Sequence, residues 1–151
     1  MPSITPFLWF DTQAEEAMNF YASIFKGSKI ISVNRVQGNV MTVAYELLGQ
    51  KFIALNAGPQ FKFNESVSFF VGCDTQEEID YFWEKLSADG GSTNRCGWLK
   101  DKFGLSWQIV PNAMGQMLGG SDGARSKRVM DALFQMEKLD VNQLQQAYDG
   151  K

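Results

Sequence analysis

Few side chains in this sequence are equipped for covalent or acid–base chemistry, and histidine is not among them. Its absence removes the commonest general base and the commonest transition-metal ligand. Neither a Ser-His-Asp nor a Cys-His device is available. Cys96 follows Arg95 in the run Arg95-Cys96-Gly97-Trp98, and a neighbouring cation favours the thiolate. A thiol with no base beside it also has an inert reading, and both stay open. The only other cysteine is Cys73. Two cysteines make no disulfide framework, and Met1 to Phe10 shows no basic segment followed by a long apolar stretch, so both are expected reduced. Zinc would be left with carboxylates, amides and at most two thiols, a poor set for that ion. What remains at strand spacing are neutral polar groups, Asn56, Ser68 and Gln108, which can bind and orient a molecule.

The formal charge of −3 over 151 residues argues against a phosphate-neutralising surface, hence against nucleic acid. Arg125, Lys127 and Arg128 read as the solvated face of a helix. The longest apolar runs, such as Val67 to Val71, are strand-sized and far short of a membrane span. A cytoplasmic location is the default expectation, and the length favours one domain, 1–151.

Those polar residues are positioned by an internal repeat. Asp11-Thr12-Gln13-Ala14-Glu15-Glu16 precedes Phe20-Tyr21, and Asp74-Thr75-Gln76-Glu77-Glu78 precedes Phe82-Trp83, an offset of about 63 residues. Each copy follows an apolar strand-like run, Ile4–Phe10 and Val67–Cys73. That spacing is too long for a solenoid unit, so a duplicated half-domain fits best. Each copy also opens a helix. Asp11 or Thr12, and Asp74 or Thr75, can accept hydrogen bonds from first-turn amides, and the glutamates suit the positive helix end. Ala14, Ala17, Met18, Tyr21, Ala22 and Phe25 form one helical stripe; Ile79, Phe82, Trp83 and Leu86 form the other. Gly27 and Gly90-Gly91 are suitable stops. Strands are then expected at Lys29–Val36, Val40–Leu47 and Lys51–Asn56, with a hairpin turn at Gln37-Gly38-Asn39. The second half has Ser92–Gly97, Trp98–Asp101 and Leu105–Val110. The class is therefore α+β, two βαβββ halves at about 1–58 and 65–111, followed by a helical tail over 112–151.

Alternation along the strands divides their side chains between two faces. Phe7, Trp9, Ile53, Leu55, Val67, Phe69, Val71, Trp107 and Ile109 are expected beneath the helices. The opposite set is mixed: Pro6, Leu8, Ala54, Asn56, Ser66, Ser68, Phe70, Ser106 and Gln108. Apolar surroundings with a few polar groups are how small-molecule sites are built, so the mixed face is the candidate cavity. The competing reading has Asn56, Ser68 and Gln108 bonded to neighbouring backbone in a closed core. Phe70 is a packing or a stacking residue, and Trp98 walls a pocket or covers an edge.

The segments Phe7-Leu8-Trp9-Phe10, Glu15-Glu16-Ala17 with Phe20-Tyr21, Ala54-Leu55-Asn56-Ala57-Gly58-Pro59, and Cys96 through Gln108 together resemble the PhnB-like branch of the glyoxalase/bleomycin resistance/vicinal oxygen chelate superfamily. That branch is also labelled demethylubiquinone methyltransferase-like. The resemblance runs from about Ile4 to Val110. It implies paired βαβββ modules forming a cupped mixed sheet, a homodimer, and in many members a metal at four strand positions chelating an oxyanionic substrate. Carried over by motif, those positions are Pro6, Ala54, Ser68 and Gln108. Proline and alanine have no ligating side chain and serine is a feeble ligand, so no metal and no other cofactor is expected. The glycine-rich strand–turn–helix of a common methyltransferase is absent as well. The leading expectation is a metal-independent small-molecule binding domain using Asn56, Ser68, Phe70, Cys96, Trp98 and Gln108. The alternatives are an enzyme acting on a small oxyanionic substrate and a dimeric interaction module without a ligand.

Overall fold

Val36 and Asn39 pair across a two-residue turn in which Gln37 and Gly38 both have positive φ, 51° and 82°. This is the left-handed pair that matches strand twist, and it pins the register of β2 (Lys29–Val36) and β3 (Asn39–Leu47). In the computed structural model, which describes residues 1–151, the chain forms two compact units, Met1–Lys62 and Phe63–Lys151.

In the first unit β4 (Gln50–Asn56) returns antiparallel to β3 and pairs in parallel with β1 (Phe7–Phe10), giving the order β1-β4-β3-β2. The parallel pair needs a long crossover, and α1 (Ala14–Ile24) lies within it. The helix buries Ala14, Ala17, Met18, Tyr21 and Ile24. It packs on the side of the sheet that carries Leu8, Phe10, Val43, Tyr45 and Ala54, all buried. The Tyr21 and Tyr45 rings lie 6.3 Å apart, and Tyr45 stacks on Phe52 at 5.5 Å.

This arrangement reverses the face expected for the first half. Leu8, Ala54 and Asn56 sit on the helix side. Phe7 is 56% exposed, and Trp9, Ile53 and Leu55 are only half-buried on the other. Both alternating sets are apolar, so hydropathy does not separate them. The Asn56 side chain does: on the helix side its oxygen accepts the Ala14 N–H at 2.8 Å and closes the open end of α1.

The second unit repeats the plan. Strand β5 (Ser68–Cys73) pairs in parallel with β8 (Ser106–Pro111), and β7 (Trp98–Lys100) and β6 (Ser92–Thr93) complete the order β5-β8-β7-β6. Helix α2 (Gln76–Ser87) starts at Thr75, whose side chain accepts from the Glu78 amide while Glu78 reaches back to the Thr75 backbone. This reciprocal box satisfies two first-turn donors. Val71, Cys73, Trp107 and Ile109 are buried on one face together with Ile79 and Leu86 of α2. Here the expected division of faces holds, apart from exposed Val67. The turn into β8 is built on Asp101, a buried carboxylate that accepts from the Phe103 and Leu105 amides at 2.9 and 3.1 Å and from the Trp107 indole at 2.9 Å.

Three tail helices follow, α3 (Met114–Gly119), α4 (Gly123–Leu133) and α5 (Val141–Asp149), the second capped by Asp122 and the third by Asp140. Met114, Met117, Val129, Met136, Leu139 and Leu144 form a core with Val110 of β8. The segment before α5 is clamped to the turn between β6 and β7 through main-chain bonds from Cys96 to Met136 and from Gly97 to Glu137, both 2.8 Å. The Gln76 amide donates to the Leu139 carbonyl at 2.9 Å and accepts the Val141 N–H at 2.7 Å. No helix is long and apolar enough to cross a membrane.

Candidate functional site

Strand register assembles the site. In the second unit Ser68 pairs with Ser106, Ser106 with Lys100, and Lys100 with Ser92. Directly opposed residues share a face, so three hydroxyls and an ammonium form one row across all four strands. The neighbouring row is Phe70, Gln108 and Trp98, continued by Asn94, whose amide bonds to the Trp98 carbonyl at 2.9 Å. Both rows lie on the face away from α2. Phe70 is 61% exposed, and Trp98 and Gln108 are half-buried. The Gln108 amide donates to the Ser68 hydroxyl at 2.9 Å, linking the rows. That bond leaves the Gln108 carbonyl oxygen and the Ser68 proton for a further partner.

A cavity of about 160 Å³ opens on this face, lined by Glu65, Ser92, Asn94, Trp98, Lys100 and Ser106 among others. Two features distinguish it. Ser106 is only 1% exposed, and its hydroxyl has no hydrogen-bond partner. A buried polar group left in this state costs about 1–3 kcal/mol. The Lys100 ammonium forms an ion pair with Glu65 at the cavity rim, and this hydrogen bond and charge hold the Glu65 carboxyl below the usual carboxylate range. Glu65 comes from a turn shaped by Asn64, whose side-chain oxygen accepts from both the amide and the hydroxyl of Ser66 at 2.9 and 2.6 Å.

Of the six residues singled out from sequence, four meet here: Ser68, Phe70, Trp98 and Gln108. Asn56 does not. It lies in the first unit, where its side-chain oxygen accepts the Ala14 N–H at 2.8 Å and its NH₂ donates to the Val40 carbonyl at 3.2 Å. It therefore does for α1 what Asp11 or Thr12 was expected to do; the residue at the N-cap position, Gln13, makes no side-chain cap. Asn56 also lines a cavity of about 520 Å³ with Thr12, Glu15, Glu16, Arg35 and Asn39, in which Arg35 is paired with Glu15 at 2.9 Å. Cys96 occupies a left-handed turn, φ 63°, half-buried under the tail, its thiol 3.7 Å from the Leu133 carbonyl. Lys100 and Glu65 were not anticipated. Lys100 is two residues from Trp98 in the same strand, and alternation alone would have placed it on the open face; its pairing with Ser106 needed the register.

The four positions that the resemblance implies for a metal, Pro6, Ala54, Ser68 and Gln108, do not suit one in this chain. Pro6 and Ala54 offer no donor side chain, Ala54 being fully buried on the α1 side, and Ser68 with Gln108 leaves one hydroxyl and one amide oxygen, too few to hold an ion. No group of three or more carboxylate or thiol side chains converges anywhere in the chain.

A family model described as 3-demethylubiquinone-9 3-methyltransferase matches residues 2–110. A putative 3-demethylubiquinone-9 3-methyltransferase, a PhnB protein from Bacillus cereus, is 36% identical over 73% of this chain and 99% of its own, with a TM-score of 0.67. A protein from Pseudomonas aeruginosa is 17% identical over 74% of this chain and 98% of its own, TM-score 0.63. A glyoxalase-related enzyme from Fulvimarina pelagi is 15% identical over 76% and 91%, TM-score 0.53, and shares the fold. No curated protein matches the chain. The α+β architecture with two four-stranded mixed sheets is that of the glyoxalase/bleomycin resistance fold, to which this chain adds the helical tail.

Proposed function

Because the chain belongs to the 3-demethylubiquinone-9 3-methyltransferase family, in its PhnB-like branch, we propose that it binds a small metabolite or drug-like molecule without a metal, on the open face of the second sheet. The observation that carries this reading is the pair of rows: Gln108 bonded to Ser68 and paired across the strands with Phe70 and Trp98, beside a cavity that Trp98 and buried Ser106 help to line. Aromatic walls supply most of the affinity and a few placed polar groups set orientation.

Methyl transfer is a weaker reading. The family's name carries that activity, but neither strand-to-helix turn, Asp11–Gln13 or Asp74-Thr75, contains a glycine. Both helix starts are already filled, one by Asn56 and the other by the Thr75–Glu78 box. A nucleotide-type cofactor uses glycine turns and free helix N-termini of this kind.

Calorimetry against a panel of metabolites and drugs, repeated on Gln108→Ala, tests the proposal. A ligand whose affinity falls at least tenfold in the variant is the expected result. A panel without binders, or a binder indifferent to Gln108, counts against it. A homodimer belongs to the same proposal, supported by exposed Phe7, Ile30, Ile31 and Phe61 in the first unit; sedimentation showing monomer alone would remove it.

A further inference from the structure

The turn that carries Glu65 places a carboxylate where a ligand of the second sheet would put one. Three observations converge on the 160 Å³ cavity. Lys100 is the ammonium in the hydroxyl row, and its partner Glu65 reaches it from outside the sheet, on the turn ahead of β5. Ser106, directly opposite Lys100, keeps a hydroxyl that is almost wholly buried and donates to nothing. Ser92, on the other side of Lys100, lines the same cavity. A closed structural core would have satisfied Ser106 or replaced it with alanine, since an unmet buried hydroxyl destabilises the fold. The Glu65 side chain, by contrast, is more than half exposed. Exposed ion pairs contribute little to stability, so this one is displaced at small cost.

We infer that this cavity takes a small carboxylate-bearing molecule, held by the Lys100 ammonium and the Ser106 hydroxyl, and that Glu65 is an internal stand-in which the ligand's carboxylate displaces. The inference rests on the open-face reading and narrows it to a ligand class. Ser68 and Gln108, one strand and one row away, then meet the remainder of the molecule beside Trp98. Emptying the cavity leaves the lysine neutralised by its own chain; filling it releases the turn at Asn64–Ser66.

The test uses acetate as probe, with sulfate as a second arm, followed through the backbone amide resonances of Ser92, Lys100 and Ser106. Acetate should bind weakly to the native protein and about tenfold more tightly to Glu65→Gln, which cannot neutralise Lys100. Lys100→Met should abolish the titration in either background. Ser106→Ala should weaken acetate several-fold without loss of folding. Sulfate binding as well as acetate would replace the carboxylate class by a general anion site and overturn the assignment. Equal acetate affinity in native protein and Glu65→Gln, or binding that survives Lys100→Met, would overturn the displacement itself. In that event a panel ligand sensitive to Gln108→Ala would still leave the open-face reading standing, so the two failures are told apart.

Discussion

The side-chain oxygen of Asn56 accepts the backbone N–H of Ala14 at 2.8 Å, so the last residue of β4 caps the first turn of α1. An amide at this point in the sequence reads equally well as a ligand contact. The structure spends it on one of the orphan donors of a helix start and on the Val40 carbonyl. Asn56→Ala should therefore destabilise the protein by about 1–2 kcal/mol in urea denaturation. Ligand affinity at the second sheet should stay within twofold.

Ser106→Ala should do the opposite. Removing a buried hydroxyl that bonds to nothing leaves the packing intact and relieves an unmet desolvation cost, so stability should rise by about 1 kcal/mol. A thermal melt that falls instead would show that Ser106 has a structural partner.

Trp98→Ala removes one aromatic wall of the open face while Asp101 still holds the β7–β8 turn. Loss of a half-buried indole should cost about 1–2 kcal/mol of stability and at least tenfold in affinity for any ligand found by calorimetry. Affinity unchanged in a folded variant would move the site off this face.

Gly97 should resist replacement. Its φ is +81°, and a Cβ there would sit 2.8 Å from the Ile109 carbonyl and 3.1 Å from the Leu139 side chain. Gly97→Ala thus combines a left-handed penalty with a clash against the tail clamp, and about 2 kcal/mol or more should be lost. Hydrogen exchange should locate the loss in the amides of Cys96 and Gly97, which tie the tail to the β6–β7 turn, and of Val141, which ties it to α2.

Burial, with the Glu78 and Asp74 carboxylates nearby, pushes the Cys73 thiol up from 9.0 to about 11. A folded-state pKa above the unfolded one means that the unfolded chain loses its proton first as pH rises. The stabilisation is complete below about pH 9 and disappears as pH climbs through about 11. Comparing the pH dependence of native protein with that of Cys73→Ala between pH 8 and 11 isolates this contribution, because lysine and tyrosine titration is common to both. Iodoacetamide at pH 8 should label half-buried Cys96 well before Cys73.

Much of the architecture was legible because its signals are local. Gln37-Gly38-Asn39 predicts a hairpin through backbone conformation alone. Thr75 with Glu78 predicts a helix start through two hydrogen bonds three residues apart, and the stripe Ile79, Phe82, Trp83 and Leu86 predicts the inward face, where Ile79 and Leu86 are buried and the two aromatics half-buried. Strand ends were less legible: Ser92–Gly97 shortens to Ser92–Thr93, because the amides of Cys96 and Gly97 are taken by the tail, which lies about 40 residues later.

The sequence by itself determined the duplicated βαβββ plan, the absence of a histidine-based device and the alternation that groups Ser68, Phe70 and Gln108. Tertiary structure decided which side of the first sheet α1 covers, because both alternating sets there are largely apolar and the Asn56 cap discriminates between them. It also decided that Lys100 stands between Ser106 and Ser92 and is answered by Glu65. Neighbours across strands are set by hydrogen-bond register, and no short stretch of sequence contains that register.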